Sequence, residues 1–135
     1  IHKNGGFMRN LTLLTDLYEL TMMQGYFKTD NNRTVIFDAF TEKIHVTALM
    51  RFPALRIGID YIKNLHFTED DIASLRSLSI FDEDFLEYLS NFHFTGDIYA
   101  IPEGTVIFPR EPIVKVIAPI MEAQLVETAI LNIIN

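Results

Sequence analysis

Residues 94–119, FTGDIYAIPEGTVIFPREPIVKVIAP, mark the point where the hydrophobic pattern of the chain changes from a helical period to the pattern of strands. Three short runs rich in β-branched and aromatic residues are predicted to be strands: Asp97 to Ile101, Thr105 to Phe108 and Ile113 to Ile117. The Pro- and Gly-containing segments 102–104 and 109–112 are predicted to be turns. The chain therefore combines a region of short strands with helices on both sides of it.

The segment before this region is predicted to begin a helix after Thr68. Thr68 and Asp71 have the spacing of a capping box, with Asp in place of the usual Glu. Phe67 and Ile72 lie where a hydrophobic staple would fix the entry of the chain into the helix. The pattern therefore predicts a helix with a well-defined start.

A second helix start has the same design, with Phe81, Asp82 and Leu86 in the corresponding places. Its apolar residues recur at helical spacing and are predicted to share one stripe: Phe85, Leu89 and Phe92. Such a stripe is typical of ordinary core packing.

Further elements are predicted towards both ends of the chain. Thr15 is a candidate cap for a first helix from Asp16 to Phe27, and the β-branched and aromatic run from Thr34 to Phe40 is predicted to be a strand. Residues 119–135 begin with Pro and are apolar nearly all round, which is typical of a helix that is buried on several sides.

Composition excludes several classes of protein. Hydrophobic residues make up 49% and charged residues 21%, which argues against intrinsic disorder. No apolar run approaches 18 residues, so no membrane span is expected. The absence of Cys excludes disulfides, thiolate zinc sites and a Cys nucleophile. A net charge of −7 without a basic cluster argues against nucleic acid as the main partner.

Common catalytic motifs are missing from the sequence. There is no phosphate-binding Gly loop, zincin motif, nucleophile elbow or EF-hand, and the four His residues lack the spacing of metal ligands. His66 and His93 are predicted to be surface residues at the ends of elements. The carboxylates near residues 69–71 and 82–84 could form acid/base pairs, but solvation of helix N-termini explains them more simply.

Asp16 and Tyr18 are the candidate binding residues. Two residues apart at a helix start, they can present a carboxylate and an aromatic face to one ligand. Capping and packing are the alternative explanation, and spacing alone favours that alternative.

A family resemblance favours a binding role for Asp16 and Tyr18 over capping and packing alone. The chain resembles nicotinate phosphoribosyltransferases over most of its length, in order and without large gaps. The resemblance is carried by the segments TDLYELTM at 15–22, GYF at 25–27, FTEDDI at 67–72, LRSL at 75–78, FTGDI at 94–98, IPEGTVIFP at 101–109 and EAQLVETAILN at 122–132.

The resemblance implies an α+β fold, the N-terminal domain of a type II phosphoribosyltransferase, with helices and a small, mostly antiparallel sheet. An α/β barrel that carries the catalytic residues would follow and is absent here. We therefore expect a disordered tail at 1–10, the α+β domain at 11–118 and a helix leading towards the barrel at 119–135.

The family forms nicotinate mononucleotide and pyrophosphate from nicotinate and phosphoribosyl pyrophosphate, coupled to ATP hydrolysis, on the Preiss–Handler route to NAD. The resemblance implies ATP and Mg²⁺ for the complete enzyme, a homodimer and a cytoplasmic location. It also implies that Tyr18 stacks on the pyridine ring of the partner subunit's site, with Asp16 beside it. The 135-residue chain alone is expected to be inactive. A non-catalytic α+β binding or dimerisation module, or an interrupted reading frame, are the alternatives.

Residues 41–58 depart from the family pattern. Family members have Arg and Lys here, which help to hold phosphates, whereas this chain has Glu42, which would repel them. No phosphate role is therefore assigned to Lys43. A pair of compensating frameshifts would explain the segment, and a divergent loop is the alternative.

Overall fold

The computed structural model describes residues 16–40, 53–102 and 104–134. Within these ranges the chain forms five helices and three strands. In chain order they are α1 (Leu17–Lys28), β1 (Thr34–Phe40), α2 (Pro53–Lys63), α3 (Glu69–Ser77), α4 (Glu83–Ser90), β2 (Asp97–Ala100), β3 (Pro112–Pro119) and α5 (Ile120–Ile134). The predicted tail at 1–10 and the cap at Thr15 lie outside the described residues.

The strands form one sheet in the order β1-β3-β2, and both pairs are antiparallel. Ile117 of the central strand lies opposite Ile36 on one side and opposite Asp97 on the other. The predicted α+β class with a small antiparallel sheet is therefore confirmed. The strand from Thr34 to Phe40 has the predicted bounds.

The predicted strand from Thr105 to Phe108 is wrong. Turn hydrogen bonds lie at both ends of this segment, from Thr105 N to Pro102 O at 3.2 Å and from Glu111 N to Phe108 O at 3.1 Å. Both edges of β3 are already paired, so the segment finds no place beside the central strand. Ile107 is the buried residue of this segment, at 8% exposed, whereas Val106 and Phe108 are 57% and 64% exposed.

Two hydrophobic clusters form the core, and α5 belongs to both. The first is aromatic and lies among α1, α3 and α4; the predicted stripe of Phe85, Leu89 and Phe92 is buried there. The second lies between the inner face of the sheet and helices α2 and α5. Leu125 packs in the first cluster, and Val126 and Ile130 pack in the second. The prediction of a last helix buried on several sides is therefore confirmed.

The start of α3 has the predicted capping box. Asp71 N donates to Thr68 Oγ1 at 3.2 Å, and Thr68 N donates to Asp71 Oδ2 at 2.8 Å. Phe67 and Ile72 are both buried in the first cluster, as expected for a hydrophobic staple. Every contact that defines this start lies within six consecutive residues.

The start of α4 does not repeat that design. Asp82 is the N-cap, but its side chain makes no capping hydrogen bond, and its carboxylate pairs with Lys28 Nζ at 2.9 Å. The Asp82 N–H donates instead to Gln24 Oε1 of α1, at 2.8 Å. A neighbouring helix therefore supplies the acceptor for the N-cap N–H, which at α3 comes from the Asp71 side chain.

One helix boundary and one missed helix need correction. The first helix begins at Leu17, and Asp16 is its N-cap rather than its first residue. Helix α2 was not predicted, yet it contributes the buried side chains of Leu55 and Ile62 to the second cluster. It includes residues 53–58 of the atypical segment. Residues 41–52 lie outside the described part, so the frameshift hypothesis stays a prediction.

Candidate functional site

The candidate site is the first turn of α1, where the structure places Asp16 and Tyr18. Asp16 has φ −54° and ψ 134°, so the chain is extended as it enters the helix. Its carbonyl accepts hydrogen bonds from Glu19 N at 2.8 Å and Leu20 N at 3.4 Å. Its side chain makes no capping hydrogen bond, so its exposed carboxylate is not used to close the helix end.

Tyr18 is the most exposed aromatic or apolar side chain of this turn. It is 67% exposed, and the neighbouring Leu17 is 45% exposed. The Tyr18 carbonyl accepts a hydrogen bond from Thr21 Oγ1 at 2.7 Å, a local contact that leaves the ring free to meet another surface. An exposed ring of this kind can stack on a flat heteroaromatic ligand.

The next residue, Glu19, is turned inward. It is 7% exposed, although a free carboxylate is among the groups least often buried. Thr128 Oγ1 of α5 donates a hydrogen bond to Glu19 Oε1. The second oxygen, Oε2, is buried and has no hydrogen-bond partner among the described residues. The first turn of α1 is therefore connected to the last helix through one side chain.

Burial raises the pKa of the Glu19 carboxyl above its ordinary value of 4.5. The hydrogen bond from Thr128 opposes this rise, and the nearby carboxylates of Glu127 and Asp16 add to it. Burial and like charges thus act in the same direction, because both disfavour a further negative charge at this point.

Sequence reasoning selected Asp16 and Tyr18 but missed Glu19 and Thr128. A signal for Glu19 was available, because it lies beside Leu20 on the face of α1 that carries the buried Met23. A carboxylate on a buried face needs a partner. The identity of that partner was not available, since Thr128 follows 109 residues later in the chain.

Apart from the first turn of α1, the structure has a groove of about 660 Å³ between α4, the 92–95 loop and the start of α5. Burial, and then the Glu122 carboxylate, raise the pKa of Tyr88 in its wall. Glu122 is itself 6% exposed and accepts hydrogen bonds from Thr95 N at 3.0 Å and Thr95 Oγ1 at 2.7 Å. This carboxylate therefore already joins the loop to the helix.

The remaining candidate groups have structural explanations. His66 and His93 are exposed, and each ring lies within hydrogen-bond distance of a carbonyl two residues earlier, as expected for surface residues at element ends. Arg76 pairs with Glu83 through two bonds of 2.8 and 3.1 Å, which lowers the pKa of the Glu83 carboxyl mainly through the hydrogen bond. The acidic helix starts are therefore paired or solvated, as the simpler explanation predicted.

Across residues 16–40, 53–102 and 104–134, no group of three or more His, Asp or Glu side chains is arranged to hold a metal ion. In the same ranges, none of the helices combines the length and the apolar character that crossing a membrane requires.

Comparison with known proteins bears on the same segment. Residues 13–135 match the model of the nicotinate phosphoribosyltransferase N-terminal domain, and the match includes the whole first turn of α1. The chain is 44% identical over 124 residues to nicotinate phosphoribosyltransferase pncB2 of Mycobacterium tuberculosis, covering 91% of this chain and 27% of that protein. It is 42% identical over 128 residues to the nicotinate phosphoribosyltransferase of Bacillus subtilis, covering 93% of this chain and 26% of the relative.

Solved structures agree with this assignment. The crystal structure of human nicotinic acid phosphoribosyltransferase superimposes with a TM-score of 0.68 at 26% identity, over 88% of this chain and 25% of the human one. The nicotinate phosphoribosyltransferase of Vibrio cholerae, at 20% identity, shows the same fold with a TM-score of 0.67, over 91% of this chain and 29% of that one. The chain thus spans about a quarter of the length of the curated relatives described above. It belongs to the family of nicotinate phosphoribosyltransferase N-terminal domains.

Proposed function

We propose that this chain works as the N-terminal domain of a nicotinate phosphoribosyltransferase, in the formation of nicotinate mononucleotide and pyrophosphate from nicotinate and phosphoribosyl pyrophosphate. The observation that carries the proposal is the match of residues 13–135 to the family's N-terminal domain. The reaction is coupled to ATP hydrolysis and leads to NAD, in the cytoplasm.

Tyr18 and Asp16 contribute to substrate binding in this proposal. The Tyr18 ring, 67% exposed, is not covered by its own domain, so it is free to stack on the pyridine ring of nicotinate. We propose that it does so in the active site of the partner subunit of a homodimer. Asp16, whose carboxylate is exposed and not used for capping, lies beside it and orients the ligand or neighbouring side chains.

The domain supplies binding surface rather than catalytic residues. Since the chain covers about a quarter of the relatives, we propose that phosphoribosyl transfer takes place on the remaining part of the enzyme and that the chain alone is inactive. The resemblance to the family is the basis on which we propose ATP and Mg²⁺ for the complete enzyme. No nucleic acid or membrane takes part.

Co-expression tests the proposal. The chain is co-expressed with the part of the Bacillus subtilis enzyme that lies beyond its matched quarter, and the pair is called the assembled enzyme below. We expect release of pyrophosphate that depends on nicotinate, and none from either part alone. If the two parts copurify but release no pyrophosphate, the alternative of a non-catalytic binding or dimerisation module is favoured instead.

A matched pair of variants assigns the role of the ring. Tyr18→Ala should raise the KM for nicotinate, whereas Tyr99→Ala should not, because Tyr99 is similarly exposed at 59% but lies on β2, away from α1. Equal kinetics for the two variants would remove Tyr18 from the proposed site.

A further inference from the structure

The first turn of α1 is held in an unusual way for a turn that carries a binding residue. Its N-cap, Asp16, makes no side-chain bond to the orphan N–H groups of the helix start. A helix end without a cap frays readily, and Ser, Thr, Asp or Asn caps are typically worth about 1 kcal/mol. Some other contact must fix the turn if Tyr18 is to present its ring in one orientation.

The Glu19 side chain provides such a contact. It is 7% exposed, and its Oε1 accepts a hydrogen bond from Thr128 Oγ1 of α5, a helix that packs in both core clusters. The backbone of Glu19 is also bonded to the cap, because its N–H donates to Asp16 O at 2.8 Å. One residue therefore joins the cap, the first turn and the core.

We propose that Glu19 is a positioning residue, which anchors the first turn of α1 to Thr128 and so fixes Asp16 and Tyr18 for binding of the pyridine ring. Successive side chains on a helix point about 100° apart. When Glu19 is held inward, Tyr18 is consequently directed to the surface, where it is 67% exposed. The inference rests on the proposed function for its ligand, but the anchoring itself can be measured without activity.

The surroundings of the Glu19 carboxyl group favour its neutral form over its ionised form. Oε2 has no hydrogen-bond partner among the described residues, and a buried unpaired charge is far more costly than a buried neutral group. The charged groups that face Glu19 are Asp16 from α1 and Glu127 from α5, and both are acidic. Burial and these neighbours raise the pKa of Glu19. Gln has nearly the same shape and an acceptor for Thr128, so it should replace Glu19.

The test compares five forms of the assembled enzyme: the parent, Glu19→Ala, Glu19→Gln, Thr128→Val and Gln24→Ala. Gln24 is the matched control, because it lies on the same helix, is 8% exposed and bonds Ile80 O at 3.1 Å and Asp82 N at 2.8 Å. Its loss weakens the packing of α1 without releasing the first turn. Amide hydrogen exchange at residues 19–21 and the kinetics with nicotinate are measured for each form.

Glu19→Ala and Thr128→Val should speed exchange at residues 19–21 and raise the KM for nicotinate about fivefold, as expected for the loss of one hydrogen bond, with a smaller change in kcat. Glu19→Gln should show the exchange at residues 19–21 and the KM for nicotinate of the parent. Gln24→Ala should lower the unfolding temperature while leaving first-turn exchange and KM near the parent values.

Three results would overturn the proposal. The first is equal amide exchange at residues 19–21 in Glu19→Ala and Gln24→Ala, and the second is a Glu19→Gln variant that behaves like Glu19→Ala. The third is faster exchange in Glu19→Ala with an unchanged KM for nicotinate, while Tyr18→Ala still raises that KM. If Tyr18→Ala also leaves KM unchanged, the proposed function of Tyr18 has failed, and the anchoring is then decided by the exchange data alone. If Thr128→Val loses the fold, Glu19→Ala and Glu19→Gln still give the decision.

Discussion

The starts of α1 and α3 solve the same physical problem by different means. At α3, Thr68 and Asp71 satisfy each other's backbone N–H groups in a capping box. At α1, the cap Asp16 makes no side-chain bond, and the turn is held by Glu19 and Thr128, 109 residues apart. The first start is complete within its own sequence, and the second depends on the folded domain.

This difference agrees with the proposed binding role of the α1 start, which the α3 start does not share. A capping box occupies its polar side chains, so they are not available to a ligand. At α1 the Asp16 carboxylate is exposed and makes no capping hydrogen bond. The inward-facing Glu19 anchors the turn instead. A long-range anchor therefore leaves the side chains of a helix end free for binding.

The largest expected effect comes from the core anchors of the two helices. Leu20 of α1 and Leu75 of α3 are each 2% exposed in the first cluster. Leu20→Ala and Leu75→Ala should each lower the free energy of unfolding by about 2–5 kcal/mol, because each leaves a cavity in a packed core. Urea unfolding followed by circular dichroism measures both, and markedly unequal losses would mean that the helices differ in their cores as well as in their starts.

Next in size is the effect of the Tyr18 ring across subunits. Tyr18→Ala in the assembled enzyme should lower kcat/KM for nicotinate several-fold, since stacking is worth about 0.5–1.5 kcal/mol beyond area, and Tyr18→Phe should keep most activity. Mixing Tyr18→Ala subunits with subunits inactivated in their other part should regenerate one intact composite site per heterodimer. Mixtures that exchange subunits yet stay inactive would contradict action in trans.

How far the sequence predicted the fold depends on the range of the contacts involved. The start of α3 was predicted to the residue, because Thr68, Asp71 and the flanking apolar pair lie within six consecutive residues. Helix α2 was missed although its signal is local, because Leu55, Ile59 and Ile62 recur at helical spacing and Leu55 and Ile62 are both buried. The strand at 105–108 failed because its composition suits a strand, whereas pairing depends on which sheet edges are free.

The same distinction applies to the candidate site. Asp16 and Tyr18 were selected from a local motif, and the structure places both at the surface of one helix start. Glu19 belongs to the same motif but was not recognised, because its role depends on Thr128 of α5. Pairing between residues distant in sequence leaves no pattern within a single sequence. The neighbours of a site are therefore harder to predict than its exposed members.

Removing the caps sharpens the comparison between α1 and α3. Thr68→Ala should lower the free energy of unfolding by about 1 kcal/mol, because it leaves Asp71 N without its acceptor. Asp16→Ala should cost less, about 0.3–1 kcal/mol, because only a charge near the positive end of the helix dipole is lost. Thr68→Ala should also leave the KM for nicotinate unchanged. A stability loss for Asp16→Ala as large as that for Thr68→Ala would reveal a cap at α1 that forms in solution.

A pH dependence of stability is also expected at Glu19. Its pKa in the folded chain is raised above 4.5, chiefly by burial, so the folded state binds this proton more tightly than the unfolded state does. The resulting stabilisation is complete below the unfolded pKa and is lost as the pH rises through the folded pKa. Gln does not titrate, so the stability of Glu19→Gln relative to the parent should increase as the pH rises above 4.5 and then level off.

A double-mutant comparison assigns this pH effect to the α1 anchor. Glu127 raises the Glu19 pKa by charge repulsion, so in a Glu127→Gln background the pH-dependent gain from Glu19→Gln should become smaller. Urea midpoints measured at several pH values between about 4 and 8 bracket the ordinary carboxyl range and the region above it. A relative stability of Glu19→Gln that is flat with pH, or that falls as pH rises, would mean that folding does not favour the neutral form of the Glu19 carboxyl group.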